Sequence, residues 1–210
     1  MEEQTQTAVQ AAEPEKQPYT AQTFLNDLQD ILCYFLAAFF VVILLFAYIC
    51  CPAAIVGPSM EPTLQDGDRV LVLRGGREYQ TGDILIIESD NAYTFNQENR
   101  LVRSKGLEEQ IVKRLIARGG QTVDIDFKSG TVTVDGKVLD EPYIKETTHY
   151  NSGGFSYPLT VPEGYLFVMG DNRNLSKDSR SHEIGLQPEG AVVGRAVYRI
   201  LPLGSIGAIE

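Results

Sequence analysis

The hydrophobic and polar positions divide the chain into a polar leader, a long apolar run and a longer part with short apolar runs. The leader, Met1–Thr20, is rich in Glu, Gln, Ala and Pro without apolar periodicity, which is typical of a disordered segment. Helical periodicity begins at Phe24 and leads into the apolar run Ile31–Cys51. We therefore predict a disordered tail at residues 1–23 and a single helix at residues 24–52.

The apolar run is long enough to cross a membrane. No charged residue occurs between Asp30 and Glu61, and about 20 apolar residues in a helix span the hydrocarbon core. A cleaved secretory signal fits poorly, because its apolar region is shorter and follows positive charge, whereas Lys16 here stands against six acids. A lipid anchor at Cys50 also fits poorly, since the bulky Tyr48-Ile49 precedes it. The run predicts a retained transmembrane span, and the few nearby cations leave its orientation open.

Beyond the span the pattern changes to short apolar runs that follow turn residues. Arg69–Leu73 and Asp83–Glu88 each follow a glycine-containing turn, which is typical of strands. Further strands are predicted at Ile111–Ile116, Thr122–Phe127, Thr131–Val134, Tyr165–Met169 and Val192–Ile200, with a hairpin or long loop at Ser89–Gln110. No long helical pattern appears in this part. Residues 53–210 are therefore predicted to form one all-β domain, large enough to bury a core.

Composition excludes several kinds of site. The part after the span contains 17 Lys and Arg against 22 Asp and Glu. It lacks the basic excess that neutralises phosphates, so no nucleic acid partner is expected. The cysteines, Cys33, Cys50 and Cys51, all lie in the span or at its edge, which leaves the β domain without a disulfide framework or a cysteine metal site. We expect neither a metal nor an organic cofactor.

The segment Gly57–Thr63, directly after the span, holds a serine between two prolines. Pro58 and Pro62 fix their own φ and disfavour helix for the residues before them, so Ser59 lies in an extended or turned segment. Gly57 lets a substrate carbonyl approach closely, and the N–H of Ser59 can stabilise an oxyanion. On this segment alone, a nucleophile and a plain linker remain open alternatives.

A serine nucleophile needs a base. Each face of the strand Ile111–Ile116 places one cation, Lys113 or Arg114, between two apolar side chains. Arginine keeps its proton, whereas burial can lower the pKa of a lysine by several units, so Lys113 is the candidate base. One alternative is that both cations extend to solvent. Another is a histidine base at His182, while His149 is expected to be a surface residue.

Taken in chain order, these motifs resemble those of bacterial type I signal peptidases of the Gram-positive type. The motifs are Gly57–Thr63 after a span, Gly67–Val70, Gly82–Ile84, Val112–Ile116 and the polar block Gly170–Arg180. The resemblance implies a mostly β fold, with a single N-terminal transmembrane helix followed by an antiparallel β catalytic domain. It implies a cytoplasmic tail at residues 1–23 and an extracytoplasmic domain at residues 53–210 of a cell-membrane protein.

The same resemblance implies a serine endopeptidase that cleaves signal peptides from exported preproteins. Its expected surroundings are membrane lipid, and it is expected to act as a monomer. Ser59 matches the nucleophile, Lys113 the general base and Ser176 the serine that positions the lysine by a hydrogen bond. The remaining matches to supporting positions are Asp178 and Arg180, together with Gly170, Asp171 and Asn172.

Two features depart from the family's usual pattern. Many members have a hydroxyl residue two positions before the nucleophile, where this chain has Gly57, so the oxyanion hole is expected to depend on the backbone N–H of Ser59. The turn Ala117–Gln121 replaces a common Gly-x-Pro-Gly-Asp. Gly57, Ser59 and Met60 are expected at the substrate approach, and Ile55, Val56 and Met60 are natural candidates for the pocket that selects small residues.

Other classes of protein remain alternatives. A self-cleaving Ser–Lys regulator shares the chemistry, but the span and the lack of a DNA-binding helix pair weigh against it. The signal peptidases of the endoplasmic reticulum use a histidine in place of the lysine, which corresponds to the His182 alternative. A non-catalytic membrane-anchored binding domain is disfavoured by the joint presence of the serine, the lysine and the polar block.

Overall fold

The computed structural model describes residues 20–75 and 78–209. The chain divides into two compact units, one ending at Ile43 and one beginning at Leu44. Of the predicted disordered tail, residues 1–19 lie outside the described residues. The last residues of that predicted tail are helical, because the helix begins at Ala21 rather than at residue 24.

The N-terminal helix, α1, spans Ala21–Leu44, and a π-helical segment, Leu45–Ile49, follows it. Together they are long and apolar enough to cross a membrane. Large side chains such as Phe35 and Phe39 are exposed, as expected of a surface that faces lipid. The helix ends before the predicted boundary at residue 52, because Cys50–Ala54 pairs with another strand instead of continuing the helix.

From Cys50 onward the regular secondary structure of the described residues consists of strands and two short 3₁₀ helices, joined by loops. Its strands are β1 (Cys50–Ala54), β2 (Arg69–Leu73), β3 (Ile84–Glu88), β4 (Asn91–Phe95), β5 (Leu101–Lys105), β6 (Gln110–Arg118), β7 (Thr122–Asp126), β8 (Thr131–Val134), β9 (Lys137–Val138), β10 (Leu159–Thr160), β11 (Tyr165–Met169), β12 (Gln187–Pro188), β13 (Val192–Leu201) and β14 (Gly207–Ala208). Two single-turn 3₁₀ helices, Glu189–Ala191 and Leu203–Ser205, flank β13. The predicted mostly β fold with one N-terminal helix is confirmed.

The described strands form three antiparallel sheets. The main sheet has the order β1-β2-β13-β3-β6-β11-β12, with β14 paired to β13. A second sheet has the order β10-β7-β8-β9, and β4 pairs with β5 as a separate hairpin. The central position of β6, between β3 and β11, places Lys113 inside the main sheet.

The position of β3 in the sheet explains why its sequence is a continuous apolar run. Ile84 and Ile86 pack into one hydrophobic cluster, and Leu85 and Ile87 pack into another. Successive side chains of a strand point to opposite faces of the sheet, so both faces of the sheet are covered here. A strand buried on both faces does not need the alternation of apolar and polar residues.

Candidate active site

The loop between β1 and β2 holds Ser59 in a defined conformation. The N–H of Gly57 donates to the Asp66 carboxylate at 2.8 Å, and the N–H of Glu61 donates to the carbonyl of Pro58 at 3.2 Å. Gly57 has a φ of +83°, in the left-handed region that favours glycine. A side chain there would meet nothing within 4 Å, so this glycine is required by backbone conformation and not by lack of space.

The polar block Gly170–Arg180 also binds this loop. The backbone N–H of Asn172 donates to the carbonyl of Ser59 at 3.0 Å. The side-chain amide of Asn172 donates to the carbonyl of Pro58 at 3.1 Å. Two hydrogen bonds from one residue therefore fix the backbone that presents the Ser59 hydroxyl.

The Lys113 side chain reaches this hydroxyl from β6. Its Nζ lies 2.8 Å from Ser59 Oγ and donates a second hydrogen bond to the carbonyl of Val112 at 3.0 Å. Lys113 is only 5% exposed, so it does not extend to solvent. The expected proximity of the serine and the lysine is therefore present, although the two residues are far apart in the sequence.

Burial lowers the pKa of Lys113 from 10.5 to about 8. Removal from water is the largest cause, because it disfavours the charged form of the amine. The carboxylates of Asp178, Glu109 and Asp171 act in the opposite direction and keep the pKa from falling further. A lysine with a pKa of about 8 can become a neutral amine near physiological pH, as a general base requires.

Arg114, the neighbour of Lys113, is also buried, but it binds a carboxylate and not the Ser59 hydroxyl. Its guanidinium binds both carboxylate oxygens of Asp171, with Nε–Oδ1 at 2.9 Å and Nη2–Oδ2 at 2.8 Å. The hydroxyl of Thr63 donates to Asp171 Oδ2 at 2.5 Å. The ring of Tyr143 lies 3.8 Å from the Arg114 guanidinium carbon, within range of a cation–π interaction. This network joins β6, the Ser59 loop and the polar block.

Asp178 and Arg180 form a fully buried ion pair, with distances of 2.8 Å for both Nε–Oδ1 and Nη2–Oδ2. The N–H of Gly170 also donates to Asp178 Oδ2 at 3.0 Å. Burial alone would raise the pKa of Asp178, but the charge of Arg180 and these hydrogen bonds hold it below its ordinary value. Arg180 in turn donates to the carbonyls of Tyr150 and Arg173, so the pair fixes the shape of the polar block.

Gly170 lies where the block meets the nucleophile loop. A Cβ at this position would be 2.3 Å from Ser176 Oγ and 2.4 Å from the carbonyl oxygen of Ser59. Real Cβ atoms do not approach other atoms so closely. Here glycine is required by lack of space.

Ser176 is buried beside Gly170, but its hydroxyl makes a different hydrogen bond from the one the resemblance implies. Ser176 Oγ donates to the carbonyl of Lys177 at 3.3 Å. Within the described residues, the hydrogen bonds of Lys113 Nζ go to Ser59 and Val112. The positioning of Lys113 by Ser176 therefore stays a prediction.

The structure does not bring either histidine to Ser59. His182 is exposed and lines a cavity with Phe95 and Phe155. His149 bonds with the Thr147 hydroxyl and the carbonyl of Phe127. The geometry therefore favours the lysine over a histidine base.

The residues expected at the substrate approach differ in exposure. Met60 and Ile55 are buried in a hydrophobic cluster that packs beneath the loop, whereas Val56 is 85% exposed. A groove of about 340 Å³ lies along β1 and β6. It is lined by Cys51, Pro52, Ala53, Ala54, Val72, Arg74, Ile86, Gln110, Val112 and Val193. Small and aliphatic side chains make up most of this lining.

Several residues of the site were not identified from the sequence. Thr63 and Tyr143 bind the Arg114–Asp171 pair, and Glu141 forms an ion pair with Arg173 at 2.5 Å. Thr63 follows the second proline of the nucleophile motif, which is a usable signal. Tyr143 and Glu141 lie in a segment between β9 and β10 without regular pattern, where no signal indicates a contact. The unusual turn Ala117–Gln121 forms a tight turn, closed by the bond from Gln121 N–H to the carbonyl of Arg118.

Comparison with known proteins assigns the family. Residues 28–201 match the model of the family "Signal peptidase, peptidase S26". The chain is 35% identical to a probable signal peptidase I-1 of Synechocystis sp. over 177 residues, 83% of each protein. It is 34% identical to the signal peptidase I of Bacillus licheniformis over 191 residues, 86% of this chain and 92% of that protein.

A solved structure is also similar. The crystal structure of a signal peptidase I from Enterococcus faecalis is 28% identical and matches with a TM-score of 0.41 over 58% of this chain and 98% of the other. The family model covers more than half of the chain, and curated relatives exceed 30% identity over most of it. The chain belongs to the signal peptidase family, peptidase S26.

Proposed function

We propose that this signal peptidase cuts its substrates with a catalytic dyad of Ser59 and Lys113. As a member of its family it is a serine endopeptidase that removes signal peptides from exported preproteins. The observation that supports the dyad is the 2.8 Å contact between Lys113 Nζ and Ser59 Oγ, made by a lysine that is 5% exposed. Cleavage of a preprotein in trans by the full chain in detergent, compared with Ser59→Ala, tests the proposal.

The proton transfer follows from the two hydrogen bonds of Lys113. In the neutral amine, Nζ keeps one hydrogen on the carbonyl of Val112 and directs its lone pair to Ser59 Oγ. As Ser59 attacks the scissile carbonyl, its proton moves to Lys113, and the resulting ammonium then protonates the leaving amine. The same neutral lysine afterwards activates the water that hydrolyses the acyl-enzyme.

Stabilisation of the oxyanion falls to the backbone. Gly57 has no hydroxyl to donate, and Pro58 has no N–H, which leaves the N–H of Ser59 as the donor nearest the reacting carbonyl. The two hydrogen bonds from Asn172 hold the Ser59 and Pro58 carbonyls. Because the donor is fixed before the reaction, no reorganisation of the loop is needed as the negative charge develops.

The groove along β1 and β6 is the proposed site for the residues before the scissile bond. Val112 lines the groove, and its carbonyl accepts the hydrogen bond from Lys113, so this residue connects the groove with the dyad. An extended peptide can lie along strand edges, where backbone hydrogen bonds give affinity and shallow pockets select side chains. The aliphatic lining fits small residues such as alanine at the key positions.

The N-terminal helix is consistent with anchoring in a membrane. We propose that its N-terminal side is cytoplasmic and that the β domain lies outside the membrane, in contact with lipid. The buried ion pairs Asp178–Arg180 and Arg114–Asp171 near the dyad are both formed within one chain. The site therefore needs no residue from a second subunit, which supports a monomeric enzyme. Ser176 is proposed to assist Lys113 when its hydroxyl turns away from the carbonyl of Lys177.

The pKa of Lys113 sets the expected pH profile. Only the neutral amine can accept the proton, so kcat/KM is expected to rise about ten-fold per pH unit below pH 8 and to level off above it. An unperturbed lysine, with a pKa near 10.5, would place the plateau much higher. The measurement is cleavage of a signal peptide substrate from pH 5 to pH 10. A kcat/KM that is already level at pH 5 contradicts a lysine base.

Enlarging Gly170 is expected to displace the nucleophile. In Gly170→Ala the new methyl group overlaps the carbonyl of Ser59, so kcat is expected to fall by about 10- to 100-fold through misplacement of the reacting groups. A matched control is Gly190→Ala, because a Cβ there meets nothing within 4 Å. Wild-type kcat in Gly170→Ala, with both variants folded by circular dichroism, contradicts this role.

A further inference from the structure

One ion pair lies beside the nucleophile but has no part in the proposed dyad. Glu61, two positions after Ser59, binds Lys145 through a contact of 2.8 Å between Oε2 and Nζ. The side chains of Lys145 and Glu61 are 46% and 31% exposed. Exposed ion pairs contribute little to stability, so stability alone gives no strong reason for this pair to stand at the catalytic loop.

Backbone hydrogen bonds hold both partners close to the dyad. The N–H of Glu61 donates to the carbonyl of Pro58, the residue before the nucleophile. The N–H of Lys145 donates to the carbonyl of Asp171 at 3.1 Å, and the next residue, Asn172, binds the carbonyl of Ser59. The backbone of each residue is thus bonded to the nucleophile loop or to the block that binds it, which places both residues near Ser59.

The pair lies apart from the proposed groove. The groove is lined by residues of β1, β2, β3, β6 and β13 and by Arg74. Neither Glu61 nor Lys145 lines it, and their contacts are with Pro58 and the start of the polar block. A peptide that fills the groove up to the scissile carbonyl at Ser59 must continue beyond the serine, on the side away from the groove.

We propose that Glu61 and Lys145 contact the first residues of the mature protein, directly after the scissile bond, and select among substrates by their charge. This inference rests on the proposed function of the Ser59–Lys113 dyad. Lys145 has two N–H donors beyond the one given to Glu61, which suit an acidic substrate side chain. Glu61 has a second carboxylate oxygen, which suits a basic one.

Opposite effects are expected when each charge is removed singly. In Glu61→Gln the unpaired Lys145 favours acidic substrates, whereas in Lys145→Met the unpaired Glu61 favours basic ones. Two signal peptide substrates are compared that differ only at the first position after the cleavage site, which is Asp in one and Lys in the other. The quantity to measure is kcat/KM for the Asp substrate divided by kcat/KM for the Lys substrate. We expect this ratio to rise about three-fold in Glu61→Gln and to fall about three-fold in Lys145→Met at low salt.

The ratio is insensitive to a general loss of activity, because both substrates meet the same variant. The matched control removes an exposed pair elsewhere, Lys105 and Glu108, which are 73% and 62% exposed. Neither Glu108→Gln nor Lys105→Met is expected to change the ratio. Equal ratios in wild type, Glu61→Gln and Lys145→Met, with both substrates still cleaved, overturn this inference alone. Failure of the wild type to cleave either substrate overturns the proposed function instead.

Discussion

Replacing Lys113 with alanine is expected to lower kcat/KM for a preprotein by about 10³-fold or more, since removal of one member of a catalytic unit has effects of this size. The Ser59 hydroxyl would lose the amine that accepts its proton at 2.8 Å. The loss should not be recovered at high pH, because no titrating base remains beside Ser59. The measurement is steady-state cleavage of a preprotein by the full chain in detergent.

The control for this prediction is His182→Ala, which replaces the alternative base. His182 is exposed in a cavity that contains neither Ser59 nor Lys113, so most of the activity is expected to remain. Activity retained in Lys113→Ala and lost in His182→Ala would reassign the enzyme to the Ser–His class. Thermal melts of both variants show whether an activity loss arises from unfolding.

Breaking the buried ion pair by Arg180→Met is expected to lower the free energy of unfolding by about 3–5 kcal/mol. The variant leaves the Asp178 carboxylate buried without its cation, and burial then raises its pKa. In the wild type the pKa of Asp178 is lowered, so its stabilising contribution is present above its ordinary pKa of 3.8 and is lost below it. In the variant the raised pKa lets Asp178 take up a proton above pH 3.8, which removes the unpaired buried charge, so the difference between wild type and variant should shrink as the pH falls toward 4.

Urea unfolding of both proteins at pH 7 and pH 4.5 measures this difference. A matched control is Lys177→Met, which breaks the neighbouring pair with Glu183, whose side chains are 65% and 55% exposed. That change is expected to have little effect on the free energy of unfolding, because the pair is exposed. Equal effects of the two substitutions would show that the buried pair does not support the fold of the polar block.

The sequence predicted most of the large strands because their patterns are local. Arg69–Leu73 and Tyr165–Met169 match the observed bounds of β2 and β11, and Ser89–Gln110 contains the predicted hairpin as β4 and β5. The strand β1 was missed, since Cys50–Ala54 continues the apolar composition of the helix. Only its pairing with Arg69–Leu73 distinguishes it, and such pairing is not visible in a local pattern.

The candidate site shows the same division between local and long-range information. Alternation along the strand predicted that Lys113 and Arg114 lie among apolar residues. Of the two, only the lysine can lose its proton and act as a base. The sequence did not indicate that Arg114 would bind Asp171, or that Tyr143 would cover it. These contacts join β6 to two loops that are distant in the sequence, so they depend on the assembled fold.

The most direct test of the central claim is the rate at which Ser59 becomes acylated. A serine-directed acylating inhibitor is mixed with the full chain in detergent, and intact-protein and peptide mass spectrometry follow the adduct between pH 5 and pH 10. We predict an adduct on Ser59 in the wild type whose rate rises with pH and levels off near pH 8. We predict almost none in Lys113→Ala. An adduct on another residue, or one formed at the wild-type rate in Lys113→Ala, would contradict the Ser59–Lys113 dyad.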